Sequence, residues 1–242
     1  MSLRFDEETL ADDGIREREL SFEADGERVP GLLWLPTGGD GPRPLVLAGH
    51  GFGVDRHWAF PRPALRSLVT DGGCAVAILD APCHGDRRPD PTQGFEVTAA
   101  AWQAYWRANV GSRVAREHAS AARLLQARPE VGAGPVGYWG LSLATQYGLA
   151  YLACDEPPRG AVLGLFRHGP VVAHYARQVR CPVFFIEQQD DEIHPRAEVT
   201  ALFDELASPD KHLASSPGAH TEVPDAVCRA AVEFLLRVLR PS

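Results

Sequence analysis

The chain has 242 residues with 24 basic against 32 acidic side chains, a formal net charge of −8, so nucleic acid is not an expected partner; phosphate binding relies on clustered positive charge. A 45% apolar content at this length fits one large globular domain, 1–242, with a substantial buried core. The longest apolar runs, such as CAVAIL at 74–79, are strand-sized and far short of the roughly 20 residues that span a bilayer, so no membrane partner is expected.

The opening MSLRFDEETLADDG is acidic and lacks the basic and apolar regions of a secretory signal, which favours a cytoplasmic location. RELSFEA and RVPGLLWLP, separated by the turn-forming DGE, predict a β-hairpin. After the loop TGGDGPRP, the compact apolar runs LVLAG and CAVAILD flank the helix-capable PALRSLVTDGG, a parallel βαβ pattern. From Gln93 to Ala127, Trp102, Tyr105, Trp106, Val110, Val114, Ala121 and Leu124 recur at helical spacing, predicting one long helix or two shorter ones. VGYWG, GAVLGLF, PVFFIEQ and a short strand at 211–215 then alternate with helices at 142–153, 171–178, 196–207 and 224–239. About eight strands interleaved with helices predict an α/β fold: one open, mostly parallel sheet covered on both faces, with a helical insert at 87–127 after the fourth strand.

Five cysteines, odd in number, scattered and without a CxxC pair, predict reduced thiols and neither a zinc site nor a redox motif. Nine histidines include no H-E-x-x-H or tight carboxylate cluster, so no metal is expected. A dinucleotide fingerprint and a P-loop are both lacking, so no cofactor is implied.

In VGYWGLSLATQYG, Ser142 stands between a buried strand and a helix, with Gly140 two residues before it and Ala144 two after. Small residues there permit a sharp turn that holds the hydroxyl at the end of the sheet, beside the positive end of the helix. Ala144 departs from G-x-S-x-G by one methyl, and a serine in that place is equally an N-cap. A serine nucleophile needs a base, and the base an orienting group. Asp190 and Asp191 follow a strand in PVFFIEQQDDEIHP, and His220 lies in the loop of KHLASSPGAHTEVP. The order Ser, Asp, His, each at a strand end, is that of an α/β-hydrolase triad. HGFG at 50–53 follows LVLAG and brings backbone N–H groups close to a ligand, or is a plain glycine-rich surface turn.

On LAGHGFG, LDAPCHGDR, GYWGLSLA, PVFFIEQQDDEIHP and PGAH, in that order, the chain resembles the α/β-hydrolase superfamily. Within it the likeness is to the small serine esterases of the dienelactone-hydrolase-like and prolyl-oligopeptidase-like neighbourhood, and it covers nearly the whole length. The resemblance implies Ser142 as nucleophile, His220 as general base and then acid, and Asp191, four positions before Pro195, as the orienting acid rather than Asp190. It further implies an oxyanion hole from the N–H groups of Phe52 and Leu143, with His50 holding the loop. Relatives often have a glycine where this chain has Gln188, and dienelactone hydrolases proper have a cysteine where it has Ser142.

His84 lies in a loop whose family counterpart borders the active site; the alternative for it is a hydrogen-bonded loop histidine. Phe95, Trp102 and Trp106 either roof a small acyl pocket, with residues 87–110 as a lid, or pack on the sheet. His194 is expected to face solvent. The expected activity is hydrolysis of a small carboxylic ester through an acyl-enzyme. A peptidase or acyltransferase of the same fold and a non-catalytic ligand-binding protein are the alternatives.

Overall fold

The computed structural model describes residues 2–11, 13–38, 41–90, 95–109 and 111–240, without the side chains of 7, 95–97 and 109. The predicted hairpin forms from β2 (Ile15–Ala24) and β3 (Glu27–Pro36). Asp25 and Gly26 both take positive φ, 49° and 78°, the two-residue turn whose twist matches that of the flanking strands. The parallel core follows: β4 (Leu45–Ala48), α1 (Arg62–Thr70), β5 (Ala75–Leu79), α2 (Phe95–Asn109), α3 (Ser112–Gln126), β6 (Val136–Leu141) and α4 (Leu143–Leu152). The chain then adds β7 (Gly160–Gly164), α5 (Pro170–Ala176), β8 (Val183–Gln188), α6 (Arg196–Glu205), β9 (Lys211–Ser216) and α7 (Asp225–Val238).

Among the described residues the sheet has nine strands where about eight are expected. The additional one is β1 (Arg4–Leu10), antiparallel to β2 at the sheet edge. Its RFDEETL has no apolar alternation to announce a strand; backbone pairing holds it, and the Arg18 guanidinium lies 4.2 Å from the centre of the Phe5 ring. Strand order is β1-β2-β3-β5-β4-β6-β7-β8-β9. From β5 through β9 every pairing is parallel, so the sheet is mostly parallel.

Alternation within the strands fills two cores. Leu45 and Leu47 of β4 face a cluster built with α3, α4, α5 and α6, while Val46 and Ala48 face one built with α1 and α7. Each buried Leu or Val side chain of this kind contributes about 1.5–3 kcal/mol. The long helical stretch is two helices, broken at Gly111 (φ 77°), where a Cβ would come within 2.9 Å of both Ala150 and the Trp106 ring. Val114, Ala121 and Leu125 of α3 are buried in the core, so α3 is a covering layer of the sheet.

The chain leaves β4 toward β5 on one side and later resumes at β6 on the other. Loops after β4 and β6 therefore diverge at the carboxyl ends of adjacent strands, where open α/β sheets hold their ligands.

Candidate active site

Ser142 sits in that crevice with φ 57° and ψ −125°, a region costly for any L-residue and characteristic of functional turns. Its surroundings impose the conformation. Ser142 N–H donates to Gly164 O at 3.0 Å. The Thr145 hydroxyl, fully buried, accepts Gly164 N–H at 2.8 Å and lies 2.8 Å from Gly140 O and 2.6 Å from Gly164 O. At Gly140 a Cβ would meet the Tyr138 ring at 2.6 Å and Ala144 O at 2.7 Å. The methyl that Ala144 adds has room because residue 49 is glycine: a Cβ there would sit 2.6 Å from that methyl.

Two loops on the same flank of β6, those after the neighbouring strands β8 and β9, bring the other groups. His220 Nε2 lies 2.9 Å from Ser142 Oγ, and His220 Nδ1 lies 2.8 Å from Asp191 Oδ2. A carboxylate only accepts, so Nδ1 carries the proton and Nε2 presents its lone pair to the serine O–H. The Asp191 side chain is wholly buried. Burial by itself raises its pKa, but the N–H groups of His194 and Ile193 donating to Oδ1, both at 2.8 Å, together with His220 hold it below the usual carboxylate value.

Neighbouring residues fasten the His220 loop. Asp190 accepts Gly218 N–H at 3.0 Å, and Glu192 accepts His220 N–H at 2.9 Å. Gln188 is buried; its amide donates to Glu222 O at 2.7 Å and accepts from Ser216 Oγ at 2.5 Å. The Gln188 side chain thus spans β8 and both sides of His220.

Between β4 and α1, His50 is fully buried. Nδ1–H donates to Gly51 O at 2.7 Å and Nε2 accepts Ala81 N–H at 3.0 Å. Burial pushes its pKa down to about 4, so the neutral ring ties the HGFG turn to the loop after β5. Arg56, one turn later, pairs with Asp80 (2.7 Å), Glu19 (2.7 Å) and Asp86 (3.0 Å). Leu143 N–H, the first of α4, has no intrahelical acceptor.

Ser142, His220, Phe52, Leu143, Trp102 and Trp106 line one cavity of about 780 Å³, with His194, Phe60, Phe166, Trp58 and Ile193. Among the described residues its lining includes Arg107 and Arg167 but no Asp or Glu. Trp102 and Trp106 are nearly buried and stack at 5.7 Å, and Trp102 Nε1 donates to Gln146 at 3.1 Å; they both pack on the core and wall the cavity. The Phe95 side chain lies outside the described residues. Of the two readings of His84, the structure bears out the hydrogen-bonded loop histidine and corrects the pocket candidate: the residue is not in the lining but fully buried behind Phe52 and Trp102, with Nδ1 2.8 Å from Pro82 O, because the loop after β5 turns inward there. His194 does not face solvent; it is packed between Phe166 and His220, drawn in by the bond from its N–H to Asp191. The sequence pattern holds no periodic signal for Trp58, which ends a short 3-10 turn, or for Phe60 and Ile193, which lie in loops.

No protein-family model matches the chain, and no curated protein does. Among solved structures it is similar to a cold-adapted esterase from an Arctic intertidal metagenomic library, with 29% identity, TM-score 0.84, and coverage of 99% of this chain and 100% of that one. An acetyl xylan esterase from Paenibacillus sp. R4 matches at 16% identity and TM-score 0.73, over 99% and 88% of the two chains. The Pyrococcus horikoshii acylaminoacyl peptidase matches at 12% and 0.72, over 95% of this chain and 42% of that one. Together with the strand order and the strand-to-helix turn at Ser142, these likenesses identify the chain as a protein of the α/β-hydrolase fold.

Proposed function

We propose that the protein is a serine hydrolase that cleaves carboxylic esters through an acyl-enzyme. The observation that carries this reading is the hydrogen-bonded series from Ser142 Oγ through His220 to the buried Asp191, opening on an apolar-walled cavity. The likeness to the metagenomic esterase supports it.

In this mechanism, Ser142 Oγ attacks the acyl carbon while His220 Nε2 takes its proton, and Asp191 stabilises the imidazolium. The tetrahedral oxygen gathers its negative charge toward the N–H groups of Phe52 and Leu143; losing one such donor typically costs about 2.7–4 kcal/mol. His220 returns the proton to the departing alcohol. Water, activated by the same imidazole, then releases the acid. Helix α2, through Trp102 and Trp106, roofs the acyl side and keeps bulk water from the reacting atoms.

Hydrolysis of 4-nitrophenyl acetate, butyrate and octanoate by the wild type and by Ser142→Ala tests this, alongside fluorophosphonate labelling. Turnover by the wild type that Ser142→Ala abolishes is expected. Wild-type silence in both assays refutes the reading.

A further inference from the structure

The relay and the oxyanion turn leave two features of the cavity unused. Four large hydrophobic side chains are exposed among the described residues, Leu10, Trp58, Ile193 and Leu213, and two of these, Trp58 and Ile193, line this cavity. An indole 69% exposed gives up most of the burial that an aromatic side chain ordinarily gains, so its place at the mouth calls for an occupant.

Both residues stand on fixed backbone. Trp58 ends a short 3-10 turn, Arg56–Trp58, capped by Asp55, whose side chain accepts His57 N–H at 2.9 Å and whose carbonyl accepts Trp58 N–H at 3.0 Å. Arg56 anchors that turn through its backbone N–H to Asp80 (2.8 Å) and through its three ion pairs. Ile193 N–H donates at 2.8 Å to Asp191, the carboxylate that also holds His220. In the sheet, β4 and β8 lie on opposite sides of β6, so the loops bearing Trp58 and Ile193 approach Ser142 from its two flanks. Side chains already positioned by their backbone bind a partner at a small ordering cost. A cavity of about 780 Å³ also exceeds what an acetyl or butyryl group fills, being in the range that encloses drug-sized ligands.

We propose that Trp58 and Ile193 form a specificity rim for a flat apolar group, and that the preferred substrates are esters bearing an aryl group on the acyl or the alcohol side. This rests on the ester-hydrolase reading. The site then takes a larger ester than the sequence suggests, with the aryl ring against the indole face while the ester carbon sits at Ser142.

The test compares kcat/KM for 2-naphthyl acetate, methyl 2-naphthoate and methyl acetate in the wild type, Trp58→Ala, Trp58→Phe and Ile193→Ser; taking each variant relative to wild type cancels intrinsic reactivity. An aromatic contact of about 0.5–1.5 kcal/mol predicts a roughly two- to twelvefold loss for a naphthyl ester in Trp58→Ala, mainly in KM. Methyl acetate should stay within about twofold, and Trp58→Phe should recover most of the loss. The naphthyl ester that responds identifies the side carrying the ring. Equal losses on all three esters, or none on either naphthyl ester in both Trp58→Ala and Ile193→Ser, overturn the rim. A loss confined to emulsified tributyrin also overturns it, in favour of a lipid surface. If the wild type hydrolyses none of the three and is silent towards the 4-nitrophenyl esters and the fluorophosphonate as well, the ester-hydrolase reading itself falls; if either overturning result comes with methyl acetate or 4-nitrophenyl ester turnover that Ser142→Ala abolishes, only the rim has failed.

Discussion

Replacing Gln188 by leucine keeps the side chain's bulk and removes its polar contacts. In the wild type the amide donates to Glu222 O at 2.7 Å and accepts from Ser216 Oγ at 2.5 Å, with longer approaches of 3.4 Å to Pro217 O and Ala219 O. Leucine leaves the Glu222 carbonyl and the buried Ser216 hydroxyl without these partners. An unsatisfied buried polar group costs about 1–3 kcal/mol, so a total near 2–4 kcal/mol is expected after partial relaxation. For a chain of this size that lowers Tm by about 4–16 °C. The loop so loosened carries His220, and a displacement of about 1 Å at a reacting group can cost on the order of 100-fold in rate. We therefore expect kcat on 4-nitrophenyl butyrate to fall roughly 10- to 100-fold with KM within about twofold. Thermal melts and steady-state kinetics on the same preparation check both halves. A lowered Tm with unchanged kcat would refute the positioning argument and leave Gln188 a purely structural residue.

Asp191→Asn, which cannot hold the imidazole in the required tautomer, should lower kcat by about 10⁴ with the fold retained by circular dichroism. Thr145→Val removes the buried acceptor of Gly164 N–H beneath the serine turn and should cost about 1–3 kcal/mol in urea unfolding. His118 is fully buried among Tyr138, Tyr147 and Tyr151, and burial depresses its pKa to about 4. Between about pH 6.5 and 4 the unfolded chain binds the proton that the folded imidazole refuses, so stability falls as pH is lowered through that window. His118→Phe should flatten the decline in Tm over that range; an unchanged slope would reject the assignment. His50→Ala removes the tie between the HGFG turn and Ala81 and should reduce kcat about tenfold, measured against the same ester.

The parallel core was legible in the sequence because its strands from β4 to β8 are short apolar runs closed by glycine, proline or an acid, and each helix repeats at its own period. β1 was not, since an edge strand paired on one side needs backbone bonds more than a buried face. The hairpin follows from DGE, whereas helical spacing runs straight through Gly111 and gives no sign of the break there. At the site, Ser142, Asp191 and His220 stood out by their order at strand ends. The Asp191 assignment rested on the proline four residues later, and the structure brings that carboxylate, not Asp190, to His220. Side-chain direction in loops is set by tertiary bonds that no local pattern encodes. His84 turned inward, His194 was drawn to the cavity wall and Trp58 was held out for that reason.

The distribution of support around Ser142 has a consequence for heat inactivation. The serine turn joins the buried ends of the central strands β6 and β7, stapled by Thr145, whereas His220 rides on a loop after the edge strand β9, held by a handful of polar bonds. Loops of that kind open sub-globally at a fraction of the global unfolding free energy. Warming should thus silence the protein reversibly several degrees below the temperature at which its secondary structure is lost, with Ser142 still in place and the base detached.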